Sequence, residues 1–135
     1  MAEINQHIED ILRDYKRIAV VGLSDKPHRA SNGVARFMLM QGYTVIPVNP
    51  GLTEVLGLKA YPSLVDIPEA VDLVDVFRAP KYVDEIVEQA IEIGAKGLWL
   101  QLGVINPSAA QKALDAGLKV VMDRCWKIEY QRLFL

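Results

Sequence analysis

Two hydrophobic patterns alternate along the chain. Short continuous apolar runs, rich in β-branched residues, recur five times, and between them the apolar positions lie three or four residues apart. The first pattern is typical of strands buried on both faces, and the second is typical of amphipathic helices. The predicted strands are RIAVVGL, YTVIPVNPG, LVDVF, KGLWLQLG and LKVVMD.

Helical spacing and helix-boundary residues predict where the helices lie. Helices are expected over about residues 3–15, from the turn after the first strand to Gly42, from Pro80 to Gly94, from Pro107 to near Gly117, and in the tail CWKIEYQRLFL. Ser31 or Asn32 is expected to cap the second helix, because such side chains accept hydrogen bonds from free helix N–H groups. Residues 52–68 are expected to form a loop containing a short irregular strand or turn.

This alternation of strands and helices predicts an α/β fold. Right-handed crossovers between parallel strands place helices on both faces of the sheet. We therefore expect a Rossmann-like, doubly wound sheet of about five parallel strands, in the order 3-2-1-4-5. The length favours one domain spanning residues 1–135, with no repeat or linker.

Composition narrows the classes of partner. A formal net charge of -2 lacks the basic excess of nucleic-acid-binding domains, so no nucleic-acid partner is expected. One cysteine excludes an internal disulfide, and without a Cys/His cluster no metal site is predicted. No stretch approaches the ~18 continuous apolar residues of a membrane span, and the N-terminus lacks the apolar core of a signal peptide. The prediction is a cytoplasmic protein without a membrane partner.

The fold predicts where a ligand binds. Doubly wound sheets bind ligands beyond the carboxyl ends of their strands, beside the point where the strand order reverses. Five segments are expected to meet at that edge: Gly22-Leu23-Ser24, Val48-Asn49-Pro50, Phe77-Arg78-Ala79-Pro80, Gln101-Leu102-Gly103 and Asp123-Arg124-Cys125.

The first of these segments lacks the dinucleotide-binding fingerprint. A G-x-G-x-x-G pattern starting at Gly22 requires two further glycines where the chain has Ser24 and Pro27. The second strand ends in Asn49-Pro50, with no acid before Glu54 to bind a ribose. Ordinary NAD binding is therefore disfavoured.

The same turn carries groups suited to anions. Ser24, Lys26, Arg29 and Ser31 surround the expected helix N-terminus, where free N–H groups and the helix dipole favour negative charge. Gly33 is expected to let this helix pack closely on the first strand. A merely solvated charged loop is the alternative, but the position beside the strand reversal favours phosphate binding.

The remaining strand ends allow two interpretations each. Asn49 either stops a turn or hydrogen-bonds adenine or ribose, and Arg78 either contacts a second phosphate or pairs with an acid. Gln101 is expected to face the same crevice, where Gly103 allows close backbone approach. Cys125 is either a small buried side chain or a nucleophile near a helix N-terminus.

Five segments in order, GLSDKPHRAS, VIPVNPG, DVFRAP, LWLQLGV and MDRC, resemble the small stand-alone CoA-binding proteins. Their domain is similar to the CoA-binding domain of succinyl-CoA synthetase. The resemblance implies a Rossmann-like, nucleotide-binding domain for coenzyme A, with the diphosphate and 3′-phosphate near the first turn. Carried over by position, it implies a phosphate turn of Gly22, Ser24, Lys26, Arg29 and Ser31; an adenosine border of Val48, Asn49 and Pro50; and a crevice lined by Phe77, Arg78, Pro80, Gln101 and Gly103.

The resemblance supports binding rather than ligase chemistry. The synthetases use a phosphorylated histidine and a separate ligase domain, and this sequence has neither that domain nor a histidine at a comparable strand end. The expected function is non-catalytic binding of CoA or an acyl-CoA by a carrier or regulatory protein, with no catalytic residue assigned and a protein partner left open. One alternative is an enzyme acting on CoA thioesters through Cys125, Asp123 or the residues of a partner protein. Another is an NAD(P)-responsive module in which Lys26 or Arg29 meets a 2′-phosphate.

Overall fold

Each of the five predicted strands forms part of one parallel sheet in the computed structural model, which describes residues 3–135. The pairings are parallel throughout this sheet. A separate two-stranded antiparallel hairpin lies in the segment that follows the second strand. The main strands are β1 (Arg17–Val21), β2 (Thr44–Val48), β5 (Leu73–Val76), β6 (Gly97–Leu100) and β7 (Lys119–Val121); the hairpin consists of β3 (Glu54–Val55) and β4 (Leu58–Lys59).

The helices cover both faces of the main sheet, which confirms the predicted Rossmann-like α/β fold. They are α1 (Ile8–Asp14), α2 (Ala30–Met40), α3 (Val83–Glu92), α4 (Pro107–Asp115) and α5 (Trp126–Phe134). Buried residues of α1, α2 and α5 form one core with one face of the sheet. Those of α3 and α4 form a second core on the other face. The continuous apolar strand runs follow from this burial on both sides.

The observed strand order corrects the predicted one. The sheet runs β2-β1-β5-β6-β7, which in terms of the five main strands is 2-1-3-4-5 rather than 3-2-1-4-5. After β2 the chain crosses β1 and pairs β5 with the free edge of β1. The order therefore reverses between β1 and β5, so the loops after these two strands become neighbours at the carboxyl edge of the sheet, where such folds bind ligands.

Several element boundaries also differ from the expectations. The first helix begins at Ile8 rather than near residue 3, and Pro80 opens a 3-10 turn that precedes α3. The segment 52–68 contains the hairpin and a second 3-10 turn at Leu64–Asp66. In the described chain, no helix combines the length and apolar character that crossing a membrane requires.

Candidate functional site

The turn after β1 requires glycine at its first position. Gly22 has φ +87°, and its N–H donates to the carbonyl of Val48 at 2.9 Å. A Cβ at this position would lie 2.7 Å from the carbonyl oxygen of Phe77. Such an approach is shorter than nonbonded atoms tolerate, so the pairing of β5 beside β1 leaves no space for a side chain at Gly22.

Ser24 takes part in three hydrogen bonds within the turn. Its N–H donates to Ser31 Oγ at 3.0 Å, and its carbonyl accepts from Asn32 Nδ2 at 2.9 Å. Its own Oγ accepts from the N–H of Lys26 at 3.1 Å. The expected capping role of Ser31 or Asn32 is therefore wrong: α2 begins at Ala30, and both side chains bind the turn instead of the helix end.

Arg36 also fixes this turn, and sequence reasoning missed it. Its Nη2 donates to the carbonyl of Pro27 at 3.1 Å, and its Nε donates to Asn32 Oδ1 at 2.9 Å. A surface arginine two turns into a helix gives no sequence signal for such a contact. The expectation that Gly33 lets α2 pack closely on β1 is wrong. A Cβ at this position would have only Arg36 Nη2 within 4 Å, at 3.8 Å.

The two cations of the turn point into solvent. Lys26 and Arg29 are exposed, and among residues 3–135 neither forms an ion pair. Arg29 borders a shallow pocket of about 170 Å³ at the start of α2. The pocket is lined by Gly22, Ser24, Arg29, Ala30, Ser31 and Phe77. Backbone N–H groups, hydroxyls and a guanidinium here provide donors suited to an anion.

A larger crevice of about 510 Å³ adjoins this pocket, and the two share Ala30 and Phe77. Its walls come from α2, from the loops after β5 and β6, and from the start of α5. Most of its lining side chains are apolar. The lining residues are Ala30, Val34, Phe77, Arg78, Ala79, Pro80, Gln101, Leu102, Gly103, Val104, Cys125 and Ile128. An apolar crevice that opens from a polar pocket is suited to a ligand with two chemically different parts.

A third pocket, of about 260 Å³, lies between α3 and the carboxyl ends of β1 and β2, and Val48 and Pro50 help to line it. Asn49 between them is engaged with the protein. Its Nδ2 donates to the carbonyl of Leu23 at 3.1 Å, and its Oδ1 accepts from the N–H of Gly51 at 2.9 Å. Asn49 thus ties the loop after β2 to the turn after β1, as its turn-forming interpretation predicts.

Arg78 lies between the crevice and the third pocket and lines both. Its guanidinium carbon lies 4.1 Å from the centre of the Tyr82 ring, in a cation–π contact. The expected alternative of pairing with an acid is not observed among the described residues. Its charge is therefore available to a ligand on either side.

Gln101 lines the crevice through a contact that the sequence did not predict. Its Nε2 donates at 2.8 Å to Oδ1 of Asp75, a residue of β5 with no exposed surface. Burial raises the pKa of Asp75 to about 7, an effect that the hydrogen bond from Gln101 partly opposes. The signal in the sequence was a lone acid inside an apolar strand, LVDVF.

The last two strand ends close the crevice. Gly103 has φ +84°, and its N–H donates to Asp123 Oδ1 at 2.8 Å. Cys125 immediately precedes α5 and is half-buried against the crevice, as its predicted place near a helix N-terminus requires. The carboxylate of Asp123 therefore holds the loop after β6 in place through this hydrogen bond.

The structure brings most of the predicted site residues to these three adjoining pockets. Lys26 and Asn49 line none of them, although both belong to loops that do. Within the described chain, no group of three His, Cys, Asp or Glu side chains is arranged to hold a metal ion. The arrangement provides charged donors beside an apolar crevice.

Comparison with known proteins places this chain in a family. A family model described as a CoA binding domain matches residues 16–131. The chain belongs to the CoA-binding domain family. This CoA-binding domain is 43% identical over 123 residues to the uncharacterized protein YneT of Bacillus subtilis, and the match covers 91% of each chain. A solved structure of a hypothetical protein from Pyrococcus horikoshii OT3 has 48% identity and a TM-score of 0.93, covering 96% of this chain and 92% of that one.

The CoA-binding domain is also similar to part of a much longer enzyme. The ADP-forming acetate–CoA ligase II of Archaeoglobus fulgidus is 32% identical over 84 residues, which is 61% of this chain but 12% of the ligase. The predicted family resemblance is confirmed, and the relationship to the ligase is that of one domain.

Proposed function

We propose that this CoA-binding domain binds coenzyme A or an acyl-CoA at the carboxyl edge of the sheet, as a non-catalytic binding, carrier or regulatory protein. The observation that carries the proposal is the continuity between the pocket at Arg29 and the apolar crevice through Ala30 and Phe77. Coenzyme A has matching parts, a phosphorylated nucleotide and a long, weakly polar arm. Phosphates at the turn would leave the arm at the mouth of the crevice.

The charge distribution supports the same orientation. Lys26 and Arg29 are exposed at the turn, and the half-buried Arg78 stands between the crevice and the third pocket. Together they can neutralise several phosphate oxygens. The adenosine would then lie beside Val48 and Pro50, where the second strand offers no acid and an NAD ribose would lack its usual partner.

The groups around the crevice support binding rather than catalysis. Asp123 is engaged with the Gly103 N–H, and Asp75 is buried beneath Gln101. Among the described residues that line the crevice, none is a histidine that could act as a general base for Cys125. These features favour a protein that holds its ligand intact.

Titration calorimetry with four nucleotides tests the proposal. We expect CoA to bind most tightly, dephospho-CoA more weakly because it lacks the 3′-phosphate, and NADP and NAD more weakly still because they lack the pantetheine arm. Absence of CoA binding at millimolar concentration would refute the proposal. Equal affinity for NAD and CoA would also refute it and would favour the NAD(P)-responsive alternative.

Arg29→Ala should weaken CoA binding by about 1–3 kcal/mol, because a charge-assisted hydrogen bond to phosphate is lost. The matched control is Arg13→Ala, which removes an exposed arginine that pairs with Asp10 and Asp14 on α1, before the amino end of β1. Calorimetry should give the control the wild-type dissociation constant. Equal dissociation constants for Arg29→Ala and wild type would remove Arg29 from the phosphate site.

A further inference from the structure

Asp75 is a buried carboxyl group with one free oxygen. Its Oδ1 accepts the hydrogen bond from Gln101, whereas its Oδ2 has no partner and is one of two such buried side-chain atoms in the described chain. Beside it in the sheet are Val20 of β1 and Trp99 of β6. A polar group in such surroundings costs folding free energy, so its presence calls for an explanation beyond packing.

The amide of Gln101 connects this carboxyl group to the crevice. Gln101 is 3% exposed and lines the crevice, with Nε2 turned inward to Asp75. No donor to Oε1 occurs among the described residues, yet Oε1 is not one of the fully buried unpartnered atoms. This oxygen is therefore accessible from the crevice as a hydrogen-bond acceptor.

The crevice has few other polar groups with which a ligand could pair. Among its described lining residues, Gln101 carries the sole side-chain carbonyl, and the other polar side chains are Arg78 and Cys125. An acceptor in apolar surroundings discriminates strongly, because a ligand that supplies no donor leaves it unpaired.

We propose that Asp75 is a positioning residue, which fixes the Gln101 amide so that Oε1 accepts a hydrogen bond from a secondary-amide N–H in the arm of the bound ligand. The inference rests on the proposed function, since the pantetheine arm of CoA contains two such amides. It assigns to the crevice a specificity for amide-bearing arms over purely apolar chains.

The protonation state of Asp75 determines which way the amide points. A carboxylate only accepts, so it holds Nε2 inward, whereas a protonated carboxyl can donate to Oε1 and occupy it. The raised pKa of Asp75 has burial as its main cause, and no neighbouring charge contributes to it. Arg78 and Cys125 are the titratable side chains that line the crevice beside Gln101. On the helices packed over this face, the buried titratable side chain among the described residues is Glu129, which pairs with Arg132. Recognition of the arm should therefore weaken as Asp75 takes up a proton.

The Gln101→Leu variant distinguishes the contribution of the arm to binding from that of the phosphates. We expect the variant to bind CoA about tenfold more weakly and to bind adenosine 3′,5′-bisphosphate, which has no arm, with wild-type affinity. Equal losses of affinity for both ligands, or no loss for CoA, would overturn the inference. The proposed function would stand, because the wild-type protein would still bind CoA. If the wild-type protein binds neither ligand, the proposed function fails with it.

Asp75→Asn tests the positioning role with a side chain of the same size. From pH 8 to pH 6, the ratio of CoA affinity to bisphosphate affinity in the wild type should fall severalfold relative to the same ratio in Asp75→Asn. Comparison of the two proteins cancels protonation of the ligands, including that of the 5′-phosphate monoester, which the bisphosphate has and CoA lacks. Thermal unfolding confirms that each variant is folded. The same dependence of the ratio on pH in both proteins would overturn the role of Asp75.

Discussion

The free energy of unfolding of the wild-type protein should fall by about 2–3 kcal/mol from pH 5 to pH 8, and Asp75→Asn should abolish this fall. The folded-state pKa of Asp75 is raised from 3.8 to about 7 by burial. The unfolded chain has therefore released this proton by pH 5, whereas the folded protein keeps it until about pH 7. The stability that this proton contributes to the folded state is fully present below pH ~4. It declines as the pH rises, and the decline levels off above pH ~7.

Urea denaturation at pH 5, 6.5 and 8 measures this effect. The matched control is Asp25→Asn, which neutralises an exposed carboxylate in the turn after β1. The control should keep the wild-type slope of stability against pH, whereas Asp75→Asn should show a much flatter one. Parallel slopes for all three proteins would mean that Asp75 is not the titrating group.

Gly22→Ala should cost about 3 kcal/mol or more of folding free energy and should remove CoA binding. A side chain at φ +87° costs about 1 kcal/mol, and the new Cβ would meet the Phe77 carbonyl oxygen at 2.7 Å. Relief of that contact requires β1 and β5 to move apart at their carboxyl ends. The pocket at Arg29, which Gly22 and Phe77 both line, would be distorted by the same movement.

Gly94→Ala is the control for backbone strain alone. Gly94 has φ +73°, but a Cβ there would have nothing within 4 Å, and the residue lies just beyond α3, away from the three pockets. Chemical denaturation should give it a loss of about 1 kcal/mol, and calorimetry should give it wild-type affinity. Similar stabilities for the two variants would show that the contact with Phe77 is easily relieved.

The elements of the fold could be predicted because local pattern determines them. The runs RIAVVGL and LVDVF are too short for buried helices and too apolar for exposed strands, so each has one stable environment, the middle of a covered sheet. The segment 52–68 was less predictable. Its hairpin strands of two residues each are too short to show an alternating pattern.

The site was predictable to the extent that strand ends define it. The turn from Gly22 to Arg29 was identified from its position after the first strand and from its charges. The contacts of Arg36 with Pro27 and of Gln101 with Asp75 were not predictable, because each joins residues that approach only in the folded chain. The sequence shows which side chains are polar, but their partners depend on the folded geometry.

The sequence by itself determined the strands, the helices and the glycine-containing turn at the end of β1. Only the tertiary structure decided that β5 pairs with β1 rather than with β2, as the order 3-2-1-4-5 would require. A strand buried on both faces has the same apolar pattern whichever neighbours it pairs with, so the pattern carries no information on strand order. The order depends on long-range packing, and it places Phe77 and Arg78 against Gly22, which joins the pocket at Arg29 to the crevice.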